Sequence, residues 1–262
     1  MPVPVTEIAG LKISRLICGS NPFLGYSYRS KGHNAWQKRH FTPERIAGVL
    51  EKCLEVGITA LLANYEESRV IPRALEEVER RCGRRPTWIA YLGPDAESLK
   101  SVVNDGAAAC YLHCGAADSR FTYNSGGRPL FDGSDTMDEL AEFVGVIRDH
   151  GLPAGMGSHR WSILKLMQDR GYDVDFMVTS LNFLRVHCDE YAGAVRTINT
   201  IDRPVIVIKT LGGSAKISPD DGLTCAFSGI KPGDAVAVGM EHEEAAEENA
   251  RLTEQIIGCL KR

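Results

Sequence analysis

Three side chains that suit proton transfer each follow a short apolar run in this sequence. His113 follows ACYL, His159 follows AGMGS and Lys209 follows VIVI. An imidazole gains and loses its proton near neutral pH. Apolar surroundings disfavour a charged lysine, which suits base or Schiff-base chemistry. Together with Glu67, which comes shortly after another apolar run, these residues predict general acid–base catalysis.

The same histidines also suit a divalent metal ion. Zn, Mn and Fe are bound by imidazole nitrogens and carboxylate oxygens, so the predicted cofactor is one of these metals. The candidate ligands are His113, His159, Glu66 and Glu241. Ligands from separate segments have no diagnostic spacing. Two other roles therefore stay open for His113, namely a hydrogen-bonding residue without a metal and a purely structural residue.

Glu66 and Glu67 have a second interpretation as the start of a helix. The segment 67–81 (ESRVIPRALEEVERR) has helical periodicity, and acidic residues favour a helix N-terminus. Pro72 indicates that this helix begins after Glu67, because proline is tolerated only in the first turn. That start leaves both glutamates in a loop and favours a functional role for them.

Further polar residues near the ends of apolar runs are predicted to bind substrate. They are Asn21, Asn64, Glu66, Tyr91, Arg160, Asn182 and Arg185. The segment 26–40 mixes aromatic and basic residues, which suits stacking on, and ion pairing with, a small carbohydrate-like substrate such as a sugar acid. A solvated basic loop is the alternative interpretation of this segment.

Eight short apolar runs separated by helix-like segments predict an α/β fold, a (β/α)8 TIM barrel. Most runs are continuous, as expected of parallel strands that are covered on both faces. The runs span residues 15–20, 58–65, 87–93, 108–115, 152–159, 175–183, 204–212 and 235–240. Helical periodicity is found at 43–56, 138–150, 161–170, 189–199 and 243–260. A doubly wound sheet is the alternative, but no GxGxxG motif follows the first strand.

A single domain over residues 1–262 is predicted, because the chain has no repeat, low-complexity tract or linker. Three long connections follow strands, at 21–42, 116–136 and 211–222. The carboxyl ends of barrel strands meet at one face, where active sites lie. Long ordered loops are usually functional, so we expect one small-molecule site at that face.

Composition excludes several other functions. The net charge is −4 and the pI is near 6.0, so there is no basic surface for nucleic acid. No apolar run reaches the roughly 18–20 residues that span a membrane, and the N-terminus does not resemble a signal peptide. Eight cysteines without a CxxC pair predict buried, reduced thiols in a cytoplasmic protein. The oligomeric state is not indicated.

The sequence resembles the aldo-keto reductases in four places, in order along the whole chain. The similar segments are AGLKISRLICGSNPF (9–23), GITALLANYEES (57–68), GMGSH (155–159) and VAVGMEHEEAAEEN (236–249). In the same order, these segments are similar to four parts of the family's barrel. They are its N-terminal hairpin with the first strand, its second strand, its fifth strand, and its last strand with the helix that follows. The resemblance implies a barrel whose bottom is capped by a short N-terminal hairpin.

The resemblance also implies carbonyl reduction with a nicotinamide cofactor by a Tyr, Lys, Asp and His set, but only the histidine has a match, at His113. The family's Asp, Tyr and Lys positions fall near Leu62, Glu67 and Tyr91. The position of its cofactor-binding Gln falls near Val178, and that of the basic residue after its last strand falls near Glu241. A carboxylate at position 241 repels a cofactor phosphate. Lys209 matches a lysine that the family often carries near the cofactor. Retention of this lysine from the family is therefore an alternative to a catalytic role for it.

This pattern predicts a non-redox enzyme, a lyase, isomerase or hydrolase of carbohydrate metabolism that uses acid–base chemistry with or without a metal. NAD(P) is not expected to bind. One alternative is a divergent NAD(P)H-dependent reductase whose acid is Tyr65 or Tyr91. A second alternative is a non-catalytic binding barrel.

Overall fold

The computed structural model describes residues 3–66, 68–123, 129–130, 137–213 and 217–260. Glu67, one of the predicted catalytic residues, lies outside the described residues. Parts of the predicted loops 116–136 and 211–222 also lie outside them.

A β-hairpin begins the described chain. Strands β1 (Val5–Ile8) and β2 (Leu11–Ser14) pair antiparallel. The two turn residues, Ala9 and Gly10, have φ values of 53° and 79°, and two positive values are typical of a type I′ turn. Ile13 is fully buried in the cluster of side chains that fills the barrel interior, so the hairpin closes the bottom of the barrel as predicted.

Eight parallel strands form the closed barrel. The barrel strands are β3 (Leu16–Gly19), β4 (Ala60–Asn64), β5 (Thr87–Leu92), β6 (Ala109–Leu112), β9 (Ala154–Ser158), β10 (Phe176–Ser180), β11 (Val205–Ile208) and β12 (Ala235–Gly239). A separate antiparallel pair, β7 (Thr122–Tyr123) and β8 (Pro129–Leu130), lies between β6 and β9 along the chain. The barrel order is β3-β4-β5-β6-β9-β10-β11-β12, with β12 paired to β3. Each predicted apolar run forms one barrel strand, which confirms the TIM barrel.

Helices connect the strands. They are α1 (Lys31–His40), α2 (Pro43–Glu55), α3 (Val70–Cys82), α4 (Ala96–Asn104), α5 (Cys114–Asp118), α6 (Asp138–Asp149), α7 (Trp161–Asp169), α8 (Tyr191–Thr200), α9 (Pro219–Gly229) and α10 (Glu243–Leu260). The six segments with predicted helical periodicity correspond to α2, α3, α6, α7, α8 and α10, and α3 begins after Glu67 as predicted. Helix α1 was not predicted and lies within the expected loop 21–42. Its N-cap is Ser30, whose side chain accepts a hydrogen bond from the backbone N–H of His33 at 3.1 Å.

The upper part of the barrel interior is filled with aromatic rings. A Cβ atom on Gly155 in β9 would lie 2.6 Å from the ring of Phe176, so only glycine fits there. The space is taken by Phe176 and Tyr111, whose ring centroids lie 6.2 Å apart. Tyr111 in turn lies 5.3 Å from Tyr91. These rings form the floor of the opening at the carboxyl ends of the strands.

All eight cysteines are free, and the five that are buried are Cys18, Cys53, Cys110, Cys114 and Cys188. The prediction of buried, reduced thiols therefore holds for these five positions. Within the described ranges, no helix has the length and apolar character needed to cross a membrane.

Candidate active site

A cavity of about 680 Å3 opens at the carboxyl ends of the barrel strands. It runs from Tyr91 and His113, at the ends of β5 and β6, to Glu241 and Asn249, which follow β12. Cavities that bind small ligands typically measure roughly 300–1,000 Å3. The site therefore lies at the face that the sequence predicts, and it extends towards the start of α10.

A ring of aromatic side chains surrounds one end of this cavity. We call this end the mouth, and we call the opposite end, near Glu241 and Asn249, the far end. Tyr91 stacks on His113 with centroids 5.3 Å apart, and His113 lies 6.2 Å from His159. His159 lies 6.1 Å from His187, which lies 5.4 Å from Tyr28. The mouth thus combines side chains from several different connections of the barrel.

Asn21 links the two tyrosines of this ring. The Tyr91 hydroxyl donates to Asn21 Oδ1 at 3.4 Å, and Asn21 Nδ2 donates to the Tyr28 hydroxyl at 3.5 Å. Burial raises the pKa of Tyr91 well above its ordinary value. Tyr91 therefore stays a neutral hydroxyl that can donate a hydrogen bond but gives up its proton with difficulty.

Tyr28 and Lys209 form the other polar pair of the mouth. The ammonium group of Lys209 donates a hydrogen bond to the Tyr28 hydroxyl and lies 4.3 Å from the centroid of its ring. An ammonium group that donates to a phenol oxygen is placed to stabilise negative charge that develops on that oxygen during a reaction. The pair therefore has the composition of a proton donor that is assisted by a cation.

The backbone is strained around the mouth. Tyr28 and Lys209 have φ values of 59° and 61°, and Arg185 and His187 have 59° and 49°. Positive φ is uncommon for residues other than glycine and costs of order 1–3 kcal/mol each. Such strain clusters at functional sites, and here it occurs in three connections that follow β3, β10 and β11.

His113 is neutral at physiological pH. Burial, followed by the charges of His159 and Lys209, lowers its pKa from 6.5 to about 4. Its Nδ1 accepts a hydrogen bond from the backbone N–H of Gly115 at 3.3 Å, so the proton of the neutral ring resides on Nε2. His113 thus offers an N–H donor.

His159 has the opposite arrangement. Its Nδ1 lies 2.6 Å from Asp118 Oδ2, so Nδ1 carries a proton and Nε2 of the neutral ring is an acceptor. The second oxygen of Asp118 accepts from the hydroxyl of Ser158 and from the backbone N–H of His159. The side chain of Asp118 is therefore fully engaged in holding the His159 ring.

The predicted substrate-binding residues divide into two groups. Asn21, Asn64 and Tyr91 line the cavity, and Glu66 accepts from the hydroxyl of Tyr26 at 3.1 Å at its edge. The other three, Arg160, Asn182 and Arg185, follow β9 and β10 and are not brought to the cavity lining among the described residues.

Two of this second group have structural partners. Arg160 pairs with Asp189 at 2.7 Å and lies over the ring of Tyr123. Asn182 is buried and exchanges two hydrogen bonds with the backbone of Val186. Asn182 therefore stabilises its own loop.

The predicted metal ligands do not converge. Among the described residues there is no group of three or more His, Cys, Asp or Glu side chains that could hold a metal ion. Glu66 is engaged with Tyr26, while Glu241 accepts from Gln37 Nε2 at 2.7 Å at the far end of the cavity. The carboxylates and the two histidines thus belong to different parts of the site.

Sequence reasoning missed Tyr28, Gln37 and Asp118. Tyr28 lies in a segment noted for its aromatic and basic residues, but nothing in that segment indicates a contact with Lys209. Gln37 lies on α1, which was not predicted. Asp118 ends the short helix α5 shortly after His113, and no spacing rule connects it with position 159.

Several buried polar atoms along the cavity have no hydrogen-bond partner among the described residues. They are Gln37 Oε1, Asn249 Oδ1 and the hydroxyl of Thr210. All three residues line the cavity. Buried polar atoms are almost always hydrogen-bonded, so these atoms indicate a polar ligand along the length of the cavity.

The fold is similar to that of known oxidoreductases. A protein described as an aldo-keto reductase from Pseudomonas aeruginosa is 15% identical with a TM-score of 0.63, and the match covers 97% of this chain and 94% of that chain. Aldose reductase from Giardia lamblia is 12% identical with a TM-score of 0.62, over 92% of this chain and 87% of that chain. A mandelate oxidase mutant bearing an FMN adduct is 14% identical with a TM-score of 0.54, over 97% and 76%. Neither a protein-family model nor a curated protein sequence matches the chain.

These similarities show a barrel with the fold of the aldo-keto reductases. The prediction of a lyase, isomerase or hydrolase is wrong, because the aldo-keto reductases among the similar structures are oxidoreductases. The likeness in fold to aldo-keto reductases does not support the expectation that NAD(P) does not bind. The prediction of an enzyme agrees with this likeness to known enzymes.

Proposed function

We propose that this barrel is a divergent nicotinamide-dependent carbonyl reductase in which Tyr28, assisted by Lys209, is the proton donor. The observation that carries the proposal is the hydrogen bond from the Lys209 ammonium group to the Tyr28 hydroxyl in the cavity. The usual tyrosine and lysine positions of the resembled family hold other residues. The same two functional groups meet here from the connections that follow β3 and β11.

The residues of the cavity fit a nicotinamide dinucleotide. The cavity is continuous from the mouth to the start of α10 and has a volume of about 680 Å3. Its buried acceptors, Gln37 Oε1 and Asn249 Oδ1, suit the hydroxyl and amino donors of a nucleoside. With a nicotinamide in the mouth, the adenosine half would lie against these two residues.

A bound nicotinamide cofactor supplies a hydride to the carbonyl carbon of the substrate. The Tyr28 hydroxyl donates its proton to the carbonyl oxygen, and the Lys209 ammonium group stabilises the phenolate that remains. His113, which is neutral with Nε2–H as a donor, orients the same oxygen by a hydrogen bond. The aromatic floor formed by Tyr91 and Tyr111 excludes water from beneath the substrate.

The acid of this mechanism differs from the two tyrosines that the sequence suggested. Tyr65 packs against the outer hydrophobic core. Tyr91 is in the mouth, but burial raises its pKa, and its hydroxyl donates to the neutral amide of Asn21. Of these three tyrosines, Tyr28 is the one hydrogen-bonded to a cation among the described residues. We therefore assign the acid to Tyr28 and an orienting role to Tyr91.

Cofactor titration and substitution of the pair test this proposal. Quenching of protein fluorescence measures the binding of NADH and NADPH, and absorbance at the nicotinamide band follows their oxidation with a panel of small aldehydes and ketones. Tyr28→Phe and Lys209→Met are expected to retain dinucleotide binding and to lose at least about 100-fold in turnover, since general acid catalysis contributes roughly 10²–10⁴-fold.

The matched controls are Tyr191→Phe on α8 and Lys165→Met on α7, whose hydroxyl and ammonium groups have partners outside the cavity. Both controls are expected to keep wild-type turnover. Absence of dinucleotide binding to the wild-type protein, or full turnover by Tyr28→Phe, would disprove the proposal.

A further inference from the structure

We infer that the far end of the cavity selects NADH over NADPH, with Glu241 as the residue that determines this choice. The inference rests on the proposed function and adds the identity of the dinucleotide. It is carried by the donor and acceptor character of the buried atoms at that end and by the balance of charges around them.

Buried acceptor atoms are present at this end. Gln37 Nε2 donates to Glu241 Oε1 at 2.7 Å, and this contact fixes the orientation of the Gln37 amide. Gln37 Oε1 then remains as a buried acceptor without a partner among the described residues, as does Asn249 Oδ1. An end that offers acceptors requires donors from its ligand. The 2′-hydroxyl of an adenosine ribose is a donor, whereas a 2′-phosphate at neutral pH carries mainly acceptor oxygens.

The charges at this end also oppose a phosphate. Glu241 and Glu248 line it together with Arg29, and Arg29 Nη2 lies 3.8 Å from Glu241 Oε2. Glu241 also lies 3.4 Å from His33 Nε2, so its carboxylate contacts two basic side chains. A phosphate with nearly two negative charges would have to displace Glu241 from these partners.

The N-terminus of α10 acts in the opposite direction. A helix N-terminus carries about half a positive charge and favours phosphate. Glu241 lies just before this helix and lines the cavity, and its full negative charge opposes the partial positive charge of the helix N-terminus. The far end of the cavity therefore favours a neutral ribose. A carboxylate that accepts from the ribose 2′-hydroxyl is the usual device by which NAD-specific proteins exclude NADP.

The test measures binding and needs no substrate. NADH and NADPH are titrated calorimetrically against the whole protein, and 5′-AMP and adenosine 2′,5′-bisphosphate serve as probes of the adenosine end alone. The wild-type protein is expected to bind NADH and 5′-AMP at least about tenfold more tightly than their 2′-phosphorylated counterparts. Glu241→Gln is expected to reduce this ratio at least fivefold by strengthening the binding of the phosphorylated ligands, because Arg29 and His33 then lose their anionic partner.

Glu244→Gln is the control, because it removes the same charge from an exposed side chain in the first turn of the helix. It is expected to change the ratio less than twofold. Equal or tighter binding of NADPH by the wild-type protein would overturn the inference and leave the proposed function intact. Binding of neither dinucleotide would overturn both. Because the wild-type ratio decides the matter, the test stands even if a variant folds poorly.

Discussion

At the scale of single residues, the mouth holds two histidines whose free nitrogens differ in character. Gly115 fixes His113 as a donor, and Asp118 fixes His159 as an acceptor. Their ring centroids lie 6.2 Å apart, so a substrate between them meets both kinds of group. Asp118 does not line the cavity but acts on it through His159, which makes it a positioning residue.

Asp118→Asn is expected to reverse the tautomer of His159. The Asp118 oxygen that accepts from Ser158 and from a backbone N–H must remain an oxygen, so the new amide NH2 would face His159 Nδ1 and require it to accept. Nitrogen-15 NMR of labelled histidine reports this change directly. Asp169→Asn on α7 is the control, and an unchanged His159 spectrum in Asp118→Asn would contradict the assignment.

The lowered pKa of His113 predicts how the free energy of unfolding depends on pH. Its pKa falls from 6.5 in the unfolded chain to about 4 in the folded protein, so between these values the unfolded state binds more protons. Its contribution is therefore fully present above pH 6.5 and is lost as the pH falls towards and below 4, with a total of roughly 3 kcal/mol. Chemical denaturation of wild-type and His113→Asn proteins at several pH values measures the difference.

In that comparison His113→Asn should flatten the pH dependence between pH 6.5 and 4. The control His242→Gln, at an exposed position, should keep the wild-type slope. An identical slope in all three proteins would show that the His113 ring is accessible to water and protonates freely.

At the scale of elements, helix α1 is the part of the site that sequence patterns did not indicate. Its sequence, KGHNAWQKRH, lacks the apolar stripe by which surface helices are recognised. Its position is set by the Ser30 cap and by the contacts of His33 and Gln37 with Glu241. The contacts with Glu241 are polar and join segments far apart in sequence, and neither periodicity nor spacing encodes them.

Gly25→Ala is expected to displace α1. Gly25 has φ of 75°, and a Cβ atom there would lie 2.8 Å from the backbone oxygen of Asn34 within α1. Gly83→Ala is the matched control, because Gly83 has φ of 67° but no neighbouring atom within 4 Å of the place that a Cβ would take. Thermal unfolding should show a loss of roughly 1 kcal/mol for Gly83→Ala and at least about twice that for Gly25→Ala. Equal losses would mean that α1 adjusts freely.

The barrel strands could be predicted from the sequence for a physical reason. That reason does not apply to the positions of the reactive side chains. Parallel strands covered on both faces need continuous apolar runs, and all eight runs are present in the sequence. The reaction class was predicted wrongly because it depended on finding a tyrosine and a lysine at fixed strand positions. In the structure Tyr28 and Lys209 meet across the cavity from two distant connections. Only the closed barrel reveals that contact.

At the scale of the whole molecule, a single domain is expected to unfold in one cooperative transition. The three tryptophans, Trp36, Trp88 and Trp161, lie on α1, in β5 and on α7, so their fluorescence samples separate parts of the fold. Urea unfolding followed by tryptophan fluorescence and by far-ultraviolet circular dichroism should give coincident curves. An early fluorescence change without loss of secondary structure would indicate that one part unfolds independently.

The contact between Gln37 and Glu241 has a consequence for the order of folding. These residues are 204 positions apart in sequence, and they meet because the first and last barrel strands, β3 and β12, are neighbours. A contact of such sequence separation forms only after the entropy of closing nearly the entire chain has been overcome. The far end of the cavity, where Gln37 and Glu241 meet, should therefore be the last part of the site to appear during refolding. A chain still emerging from the ribosome would lack this end of the cavity until its final strand has joined the first.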